Sequence, residues 1–350
     1  MPEGEAGKFS EPEQAPLDLR LGVATKPHPE HPDRNEDRSF AMSPRGALVS
    51  TGTEGYDPDK EKRLASGIFA AGVFDGVGGY AQGDLAANEL RKLVMETCAG
   101  TPLSSYPEFQ GAMRKAWIKF EQNAGQLLEK KADTTGSVVW IFEQEGNRYA
   151  ATAQTGDSRV YKLTKDGKIT KLTQDHNMAF HLFGEKYPHI ATFITDVLDR
   201  APVAGPGWKD KRNELEEMWQ HVAPEDQEAI LEKLRVQLQS TGLPTENIAK
   251  TTMPLFDHFW MMRNITQGAR TTNPTFGLHE LAEGDRVILT SDGLSDPLTT
   301  DEIKRVSQGS GTAQEKAQEL VMHAYETSKF GPQGPQYRTK PDDVTAVVIG

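Results

Sequence analysis

An apolar run that stops at a carboxylate constrains this chain more than any other feature. The segment reads Ile68-Phe69-Ala70-Ala71-Gly72-Val73-Phe74-Asp75-Gly76-Val77-Gly78-Gly79-Tyr80. A β-type run ends in Asp75, three glycines follow, and a helical pattern starts near Gly83. Glycines permit a tight turn and let the backbone come close to whatever Asp75 holds. For an isolated Asp-Gly, a turn aspartate capping a helix is the better reading. Gly76-Val77-Gly78-Gly79-Tyr80-Ala81 also fits the dinucleotide pattern G-x-G-x-x-A. That pattern needs a second strand soon after its helix, ending in an acidic residue. Here Thr101–Ser105 leads into another helix, so the nucleotide reading fails on context.

Asp75 is not alone. Asn35-Glu36-Asp37, Ser291-Asp292-Gly293-Leu294-Ser295-Asp296 and Pro341-Asp342-Asp343-Val344-Thr345 set further carboxylates at the ends of strand-like runs. Gly156-Asp157-Ser158-Arg159 joins them. Carboxylates at strand ends converge when the strands share one sheet system. Packed without cations they repel and raise one another's pKa. Hard divalent ions relieve this, and an all-oxygen site suits Mg²⁺ or Mn²⁺. Zinc is disfavoured because no Cys/His cluster exists; His28 and His31 read as loop histidines. Two ions sharing a carboxylate lower the pKa of a bridging water, giving a hydroxide that attacks phosphorus without a protein nucleophile.

Composition narrows the classes. A length of 350 residues is within reach of one large α/β domain. The formal net charge of -12 argues against a nucleic-acid or anionic-membrane partner. One cysteine, Cys98, excludes an intramolecular disulfide and fits a reducing compartment. It has no arginine closely downstream, so thiolate phosphatase chemistry is disfavoured, and it falls on a core-facing helical pattern. No apolar run is long enough to span a bilayer, and Met1–Glu5 does not read as a secretory signal. A cytoplasmic location is expected.

Along the chain, residues 1–16 read as a disordered tail rich in Glu, Pro and Gly. Strands are expected at 17–25, 38–42, 68–74, 137–144, 149–155, 159–164, 286–291 and 344–349. The segment 46–62 reads as a polar hairpin loop. Helices are expected at 83–98, 107–131, 299–308 and 313–328. In the second helix Phe109, Met113, Ala116, Trp117 and Phe120 recur at core spacing. Glu145-Gly146-Asn147 and Lys165-Asp166-Gly167 read as hairpin turns. Residues 178–264 break the β pattern and read as a mostly helical insertion, with helices at 208–222 and 224–239.

The ordered set Val73–Gly79, Gly156–Arg159, Leu172-Thr173-Gln174-Asp175-His176, Ser291–Asp296 and Asp342–Thr345 resembles the PPM (type 2C) metal-dependent serine/threonine protein phosphatases. The resemblance covers roughly residues 17–177 and 265–350. It implies an α+β fold, a four-layer αββα sandwich of two antiparallel sheets flanked by helices, within a single domain over 17–350. It implies two Mn²⁺ or Mg²⁺ ions, with a third in some members, and a phosphoprotein substrate. Asp75 matches the carboxylate that bridges both metals, and Gly76 the residue that gives a backbone carbonyl. Asp292 and Asp342 match the other ligands of the second ion. Glu36 and Asp37 match the acidic pair that holds metal waters or a metal directly. Asp157 and Asp296 match, with Asp292, the third-metal site, although an Asp in Gly-Asp-Ser can also simply hold a turn.

Two positions depart from the family pattern. Val77 stands where many members have a histidine that serves as a candidate general acid. Pro32 stands where an arginine commonly grips phosphate, leaving Arg34 or Lys26 as substitutes. The insertion starts where the family's active-site flap lies, so a regulator binding there is one expectation and a decorative helical pair the other. Beside a protein phosphatase, two further readings stand: a weakly active or inactive regulatory protein acting through 178–264, and a hydrolase of small phosphate esters.

Overall fold

A computed structural model describes residues 19–29, 31–44, 46–50, 56–57, 68–77, 82–100, 103–127, 132–184, 186–200, 208–240, 273–329 and 342–350. The expected tail at 1–16, Gly78, Gly79 and residues 241–264 of the insertion lie outside these.

Two antiparallel sheets carry the fold. The first orders β1 (Leu21–Lys26), β12 (Val344–Ile349), β11 (Arg286–Thr290), β8 (Arg159–Leu163) and β9 (Ile169–Lys171). The second orders β10 (Thr275–Leu281), β7 (Asn147–Thr155), β6 (Gly136–Gln144), β5 (Phe69–Phe74), β2 (Arg38–Ser43), β3 (Gly46–Ser50) and β4 (Tyr56–Asp57). Strand alternation places the layers. On β5, Phe69, Ala71 and Val73 face the other sheet, meeting Val347, Ile349, Val287 and Leu289. Ala70 and Phe74 face outward onto α1 (Gly83–Gly100) and α2 (Tyr106–Leu127). On β12, Val344, Ala346 and Val348 face the opposite way, onto α9 (Ala313–Lys329). Each central strand is thus buried on both faces, which is why these runs read as continuously apolar. The expected αββα order is what the chain adopts.

Local chemistry fixes the joints. Glu145 and Gly146 both take positive φ, 54° and 79°, in the two-residue turn joining β6 to β7. Thr299 and Glu302 form a reciprocal capping box at the start of α8 (Thr300–Gln308). The expected core stripe of α2 is buried, from Phe109 to Phe120. Cys98 is buried on α1, and burial pushes its thiol up to about 12, so it carries no thiolate at neutral pH.

Four strands differ from expectation. The segment 46–62, read as a loop, contains β3 and β4, because Ala47-Leu48-Val49 pairs in register with Met42, Ala41 and Phe40. Strand β10 pairs along β7, and β9 adds a short edge beside β8. Their sequences alternate weakly, so the pattern alone did not mark them.

Between β9 and β10 the chain leaves the sandwich. Helices α3 (Met178–Phe183), α4 (Pro188–Arg200), α5 (Trp208–Gln220) and α6 (Pro224–Ser240) follow one another there. They bury Leu182, Phe183, Ile190, Ile194, Leu215, Trp219, Ile230 and Leu234 in a cluster separate from the sandwich cores. Pro224 opens α6 with Glu225 and Asp226 in its first turn, favourable to the helix dipole.

Candidate active site

Antiparallel pairing brings the acidic stations to one end of the sandwich. In the seven-stranded sheet Arg38 pairs with Phe74, so Glu36 and Asp37, just before β2, lie beside Asp75, just after β5. In the five-stranded sheet Lys26 pairs with Val344 and Thr290 with Ala346. Asp342 and Asp343, before β12, therefore lie at the same end as Asp292, after β11.

Hydrogen bonds knit the two sheets there. Ser291 Oγ donates to Asp37 Oδ2 at 2.8 Å and accepts from Thr345 N at 3.0 Å. Asp343 accepts Glu36 N on Oδ2 at 2.5 Å and His28 N on Oδ1 at 2.7 Å. Asp343 N in turn donates to Asp342 Oδ1 at 3.0 Å. The side chains of Asp75 and Asp292 share a hydrogen bond, and Asp75 also feels the charges of Asp37 and Asp342.

Two glycines allow this approach. A Cβ on Gly293 would sit 1.9 Å from the Asp343 carbonyl oxygen, and one on Gly76 would sit 2.5 Å from the Gly83 carbonyl carbon. Gly293 lets the four-residue helix α7 (Asp292–Ser295) press on the start of β12, and Gly76 lets α1 press on the Asp75 turn.

The electrostatics follow from crowding. Burial, then Asp37, Asp292 and Asp342, hold the Asp75 carboxyl well above the usual range. Burial and then Asp343 do the same to Asp37, against hydrogen bonds from Thr345 and Ser291. Burial raises Glu36 to about 7, with Arg34 opposing. Asp343 is raised by burial, with its two backbone hydrogen bonds opposing. Asp37 Oδ1 is buried with no hydrogen-bond partner.

This donor set fits a hard divalent cation. The oxygens are carboxylates, one of them an orphan, and their mutual repulsion is what a cation relieves. Among the described residues, no three or more His, Cys, Asp or Glu side chains stand preassembled in metal-binding geometry.

The other expected residues fall as follows. Asp157 is buried in the β7–β8 turn, where Gly156 has φ +88°. Asp296 closes α7, its amide donating to Asp292 O at 2.7 Å. Arg34 is more than half exposed and ion-paired with Glu36. Lys26 Nζ lies 4.3 Å over the Tyr325 ring. Arg38 donates to the carbonyls of Asn35 at 2.6 Å and Asp37 at 2.8 Å, and so clamps the turn carrying Glu36.

Sequence reasoning gave no role to Asp343, Ser291, Thr134 or Thr135. Asp343 and Ser291 flank expected ligands, so adjacency was the available signal. Thr134 and Thr135 carried none. They come to Asp75 only through pairing of β5 with β6. Thr134 Oγ1 and Thr135 N donate to Asp75 O, each at 2.8 Å, while Asp75 N donates to Thr135 Oγ1 at 3.0 Å.

Residues 43–180 match the family model described as Protein phosphatase 2C. No curated protein matches the chain by sequence. Among solved structures, the serine/threonine phosphatase Stp1 from Staphylococcus aureus aligns at 18% identity and TM-score 0.57, covering 99% of this chain and 98% of that one. The S. agalactiae serine/threonine phosphatase aligns at 18% identity and TM-score 0.54, covering 95% and 98%. The catalytic domain of the serine/threonine protein phosphatase PstP, solved in complex with two manganese ions, aligns at 19% identity and TM-score 0.51, covering 95% and 97%.

Proposed function

We propose that this chain, whose fold is that of the PPM-type (2C) serine/threonine phosphatases, is itself a protein phosphatase that hydrolyses phosphoserine and phosphothreonine. The observation that carries the reading is the half-buried carboxylate cluster at one end of the sandwich, which includes Asp37 Oδ1, buried without a hydrogen-bond partner.

Asp75, Asp37, Asp292 and Asp342 would hold Mn²⁺ or Mg²⁺, with the Gly76 carbonyl as a further donor and two ions as the expected number. Such ions, when bound, supply a nucleophilic water at neutral pH and offset charge on the phosphoryl group. The chain's own residues do the rest. Ser291 holds Asp37 in place, and Asp343 ties the Glu36 backbone to β12. Burial raises Glu36 to about 7 in the metal-free site, and with Asp37 it would hold the metal-bound waters once cations enter. Arg34, at the mouth beside Glu36, would meet the phosphate. Asp157 and Asp296 would serve a third, weaker ion. Val77 carries no proton, so the leaving group must be protonated by another group.

The acidic surface and single buried cysteine suit a reducing cytoplasm and a phosphoprotein substrate, without nucleic acid or membrane. Among the described residues no helix is long and apolar enough to cross a membrane. A second reading, a regulatory protein acting through the insertion, draws on the separate helical core at 178–240.

The test is hydrolysis of a phosphothreonine peptide with EDTA, Mg²⁺ and Mn²⁺ in turn, beside Asp75→Asn and Asp292→Asn. Turnover that requires added metal and disappears in both variants is expected. Folded, metal-loaded protein without turnover would move the function to the second reading. Preference for an aryl phosphate over the peptide would point to small esters.

A further inference from the structure

The carboxylate site and the helical insertion are joined by a continuous set of buried and part-buried hydrogen bonds and the short β7–β8 turn. At one end, Thr134 and Thr135 hold both backbone polar groups of Asp75. Both threonines are buried. Thr135 Oγ1 also shares a 2.7 Å hydrogen bond with Ser158 Oγ. Ser158 belongs to the β7–β8 turn, and its carbonyl accepts from Ser137 Oγ at 2.6 Å and Gln154 Nε2 at 2.8 Å. The turn sits directly on Thr135: a Cβ on Gly156 would lie 2.6 Å from Thr135 Cβ.

The far side of the same turn is held by the root of the insertion. Gly156 O accepts His176 N at 2.8 Å. Arg159, which follows the turn, is locked to Asp175 by Nη2 at 2.6 Å and Nε at 3.0 Å, both on Oδ2. The His176 ring stacks on Phe180 at 4.9 Å between centroids and bonds Thr275 Oγ1 at 3.1 Å. Asn177 caps α3 by accepting Phe180 N at 3.1 Å. Helix α3 then supplies Ala179, Leu182 and Phe183 to the insertion core. Few adaptable groups lie between the two ends: the path is backbone, hydroxyls and one stacked ring pair, all packed.

We propose that Thr135 is the positioning residue for Asp75, and that the seating of the insertion regulates the site through His176, the Gly156–Ser158 turn and Thr135. The proposal rests on the phosphatase reading above and assigns the insertion a role in it. A partner that shifts α3 would shift the turn, and with it the hydroxyl that holds the Asp75 amide. Holding a ligand from outside in this way is worth about tenfold to a hundredfold in metal affinity or activity.

The experiment uses the full chain and two readouts: Mn²⁺ binding by titration calorimetry, and kcat and KM on the phosphothreonine peptide. Thr135→Val keeps the shape and removes the hydroxyl. It should weaken Mn²⁺ binding by about tenfold or more and lower kcat similarly, with peptide KM nearly unchanged. Thr135→Ser, which restores the hydroxyl, should recover most of both. Ser158→Ala keeps Thr135 and breaks only its link to the turn, so it should show a smaller loss even if the valine variant does not fold. Phe180→Ala, which removes the stack on His176, should move both readouts the same way by about threefold.

Folded Thr135→Val with wild-type Mn²⁺ affinity and kcat would overturn the positioning role, and unchanged Ser158→Ala would overturn the link between Thr135 and the turn. Phe180→Ala with both readouts unchanged would overturn the link to the insertion. Wild-type protein that binds no Mn²⁺ would instead overturn the phosphatase reading beneath.

Discussion

The carboxylate end of the sandwich and the helical insertion bury their surfaces in opposite ways. At the carboxylate end, Asp37, Asp343, Ser291, Thr134 and Thr135 are buried polar groups, and their hydrogen bonds set geometry rather than hydrophobic gain. In the insertion, aliphatic and aromatic side chains such as Leu182, Phe183, Trp219 and Leu234 fill the centre. Its charged groups pair on the surface, as Lys186 does with Asp226 and Lys211 with Glu214. The difference teaches where stability is given up. Like charges crowded in a buried site destabilise the fold unless a cation or proton offsets them, whereas an apolar core stabilises at any pH.

The largest expected effect tests the first half of that comparison. Asp75→Asn should lower turnover by at least about a thousandfold. In EDTA it should leave the melting temperature unchanged or higher, because a buried like charge has been removed. A lower melting temperature in EDTA would show the cluster to be stabilising without metal.

Next is the buried pair that anchors the turn. Arg159 and Asp175 are 2% and 0% exposed. Asp175→Ala removes the carboxylate partner of the buried Arg159 guanidinium and should cost about 3–5 kcal/mol in denaturant unfolding. A loss below about 1 kcal/mol would mean that water reaches Arg159.

Trp219→Ala should cost about 3–5 kcal/mol, but within the insertion. Hydrogen exchange should quicken in α3 to α6 while β5, β6 and β12 stay protected. Uniform loss of protection would merge the two regions into one cooperative unit.

The pH dependence separates the regions further. Glu36 is raised to about 7 from an ordinary value of 4.5, and Asp75, Asp37 and Asp343 are raised as well. Groups raised by folding contribute stability fully below their unfolded pKa and lose it as pH rises through the folded pKa. For Glu36 that window is 4.5 to about 7. In EDTA the protein should therefore melt lower at pH 8 than at pH 5, by roughly 5 °C, and Mn²⁺ at pH 8 should restore it. Equal melting temperatures would remove the electrostatic argument for a cation.

The smallest effect is at the surface. Lys186→Ala breaks an exposed pair with Asp226 and should shift the melting temperature by less than about a degree.

Much of this was legible in the chain. The apolar runs ending at Asp75 and Asp292, and the one beginning after Asp343, are strands because residues buried on both faces must be apolar throughout. The helices at 83–100, 106–127, 300–308 and 313–329 were visible through periodicity and caps. Strands β3, β4, β9 and β10 were not. Each is at or near a sheet edge, where one neighbour suffices and the alternation is weak. Of the site, the acidic stations could be named from sequence, but Ser291, Asp343 and the two threonines could not be given roles. Their importance lies in bonds across separations such as the 254 residues between Asp37 and Ser291.

Read along the chain, the residues already show where the charge lies and that each acidic station stands at one end of a strand. Burial pattern and glycine placement are local properties, and local properties can be read along a chain. Which end of which sheet each carboxylate reaches follows from strand pairing. Tertiary structure also sets that Asp343 receives Glu36 N and His28 N, and that Thr135 holds Asp75 while sharing a bond with the turn on which the insertion is rooted. Strand order in a sheet is set by packing among distant segments, and no stretch of the chain encodes it alone.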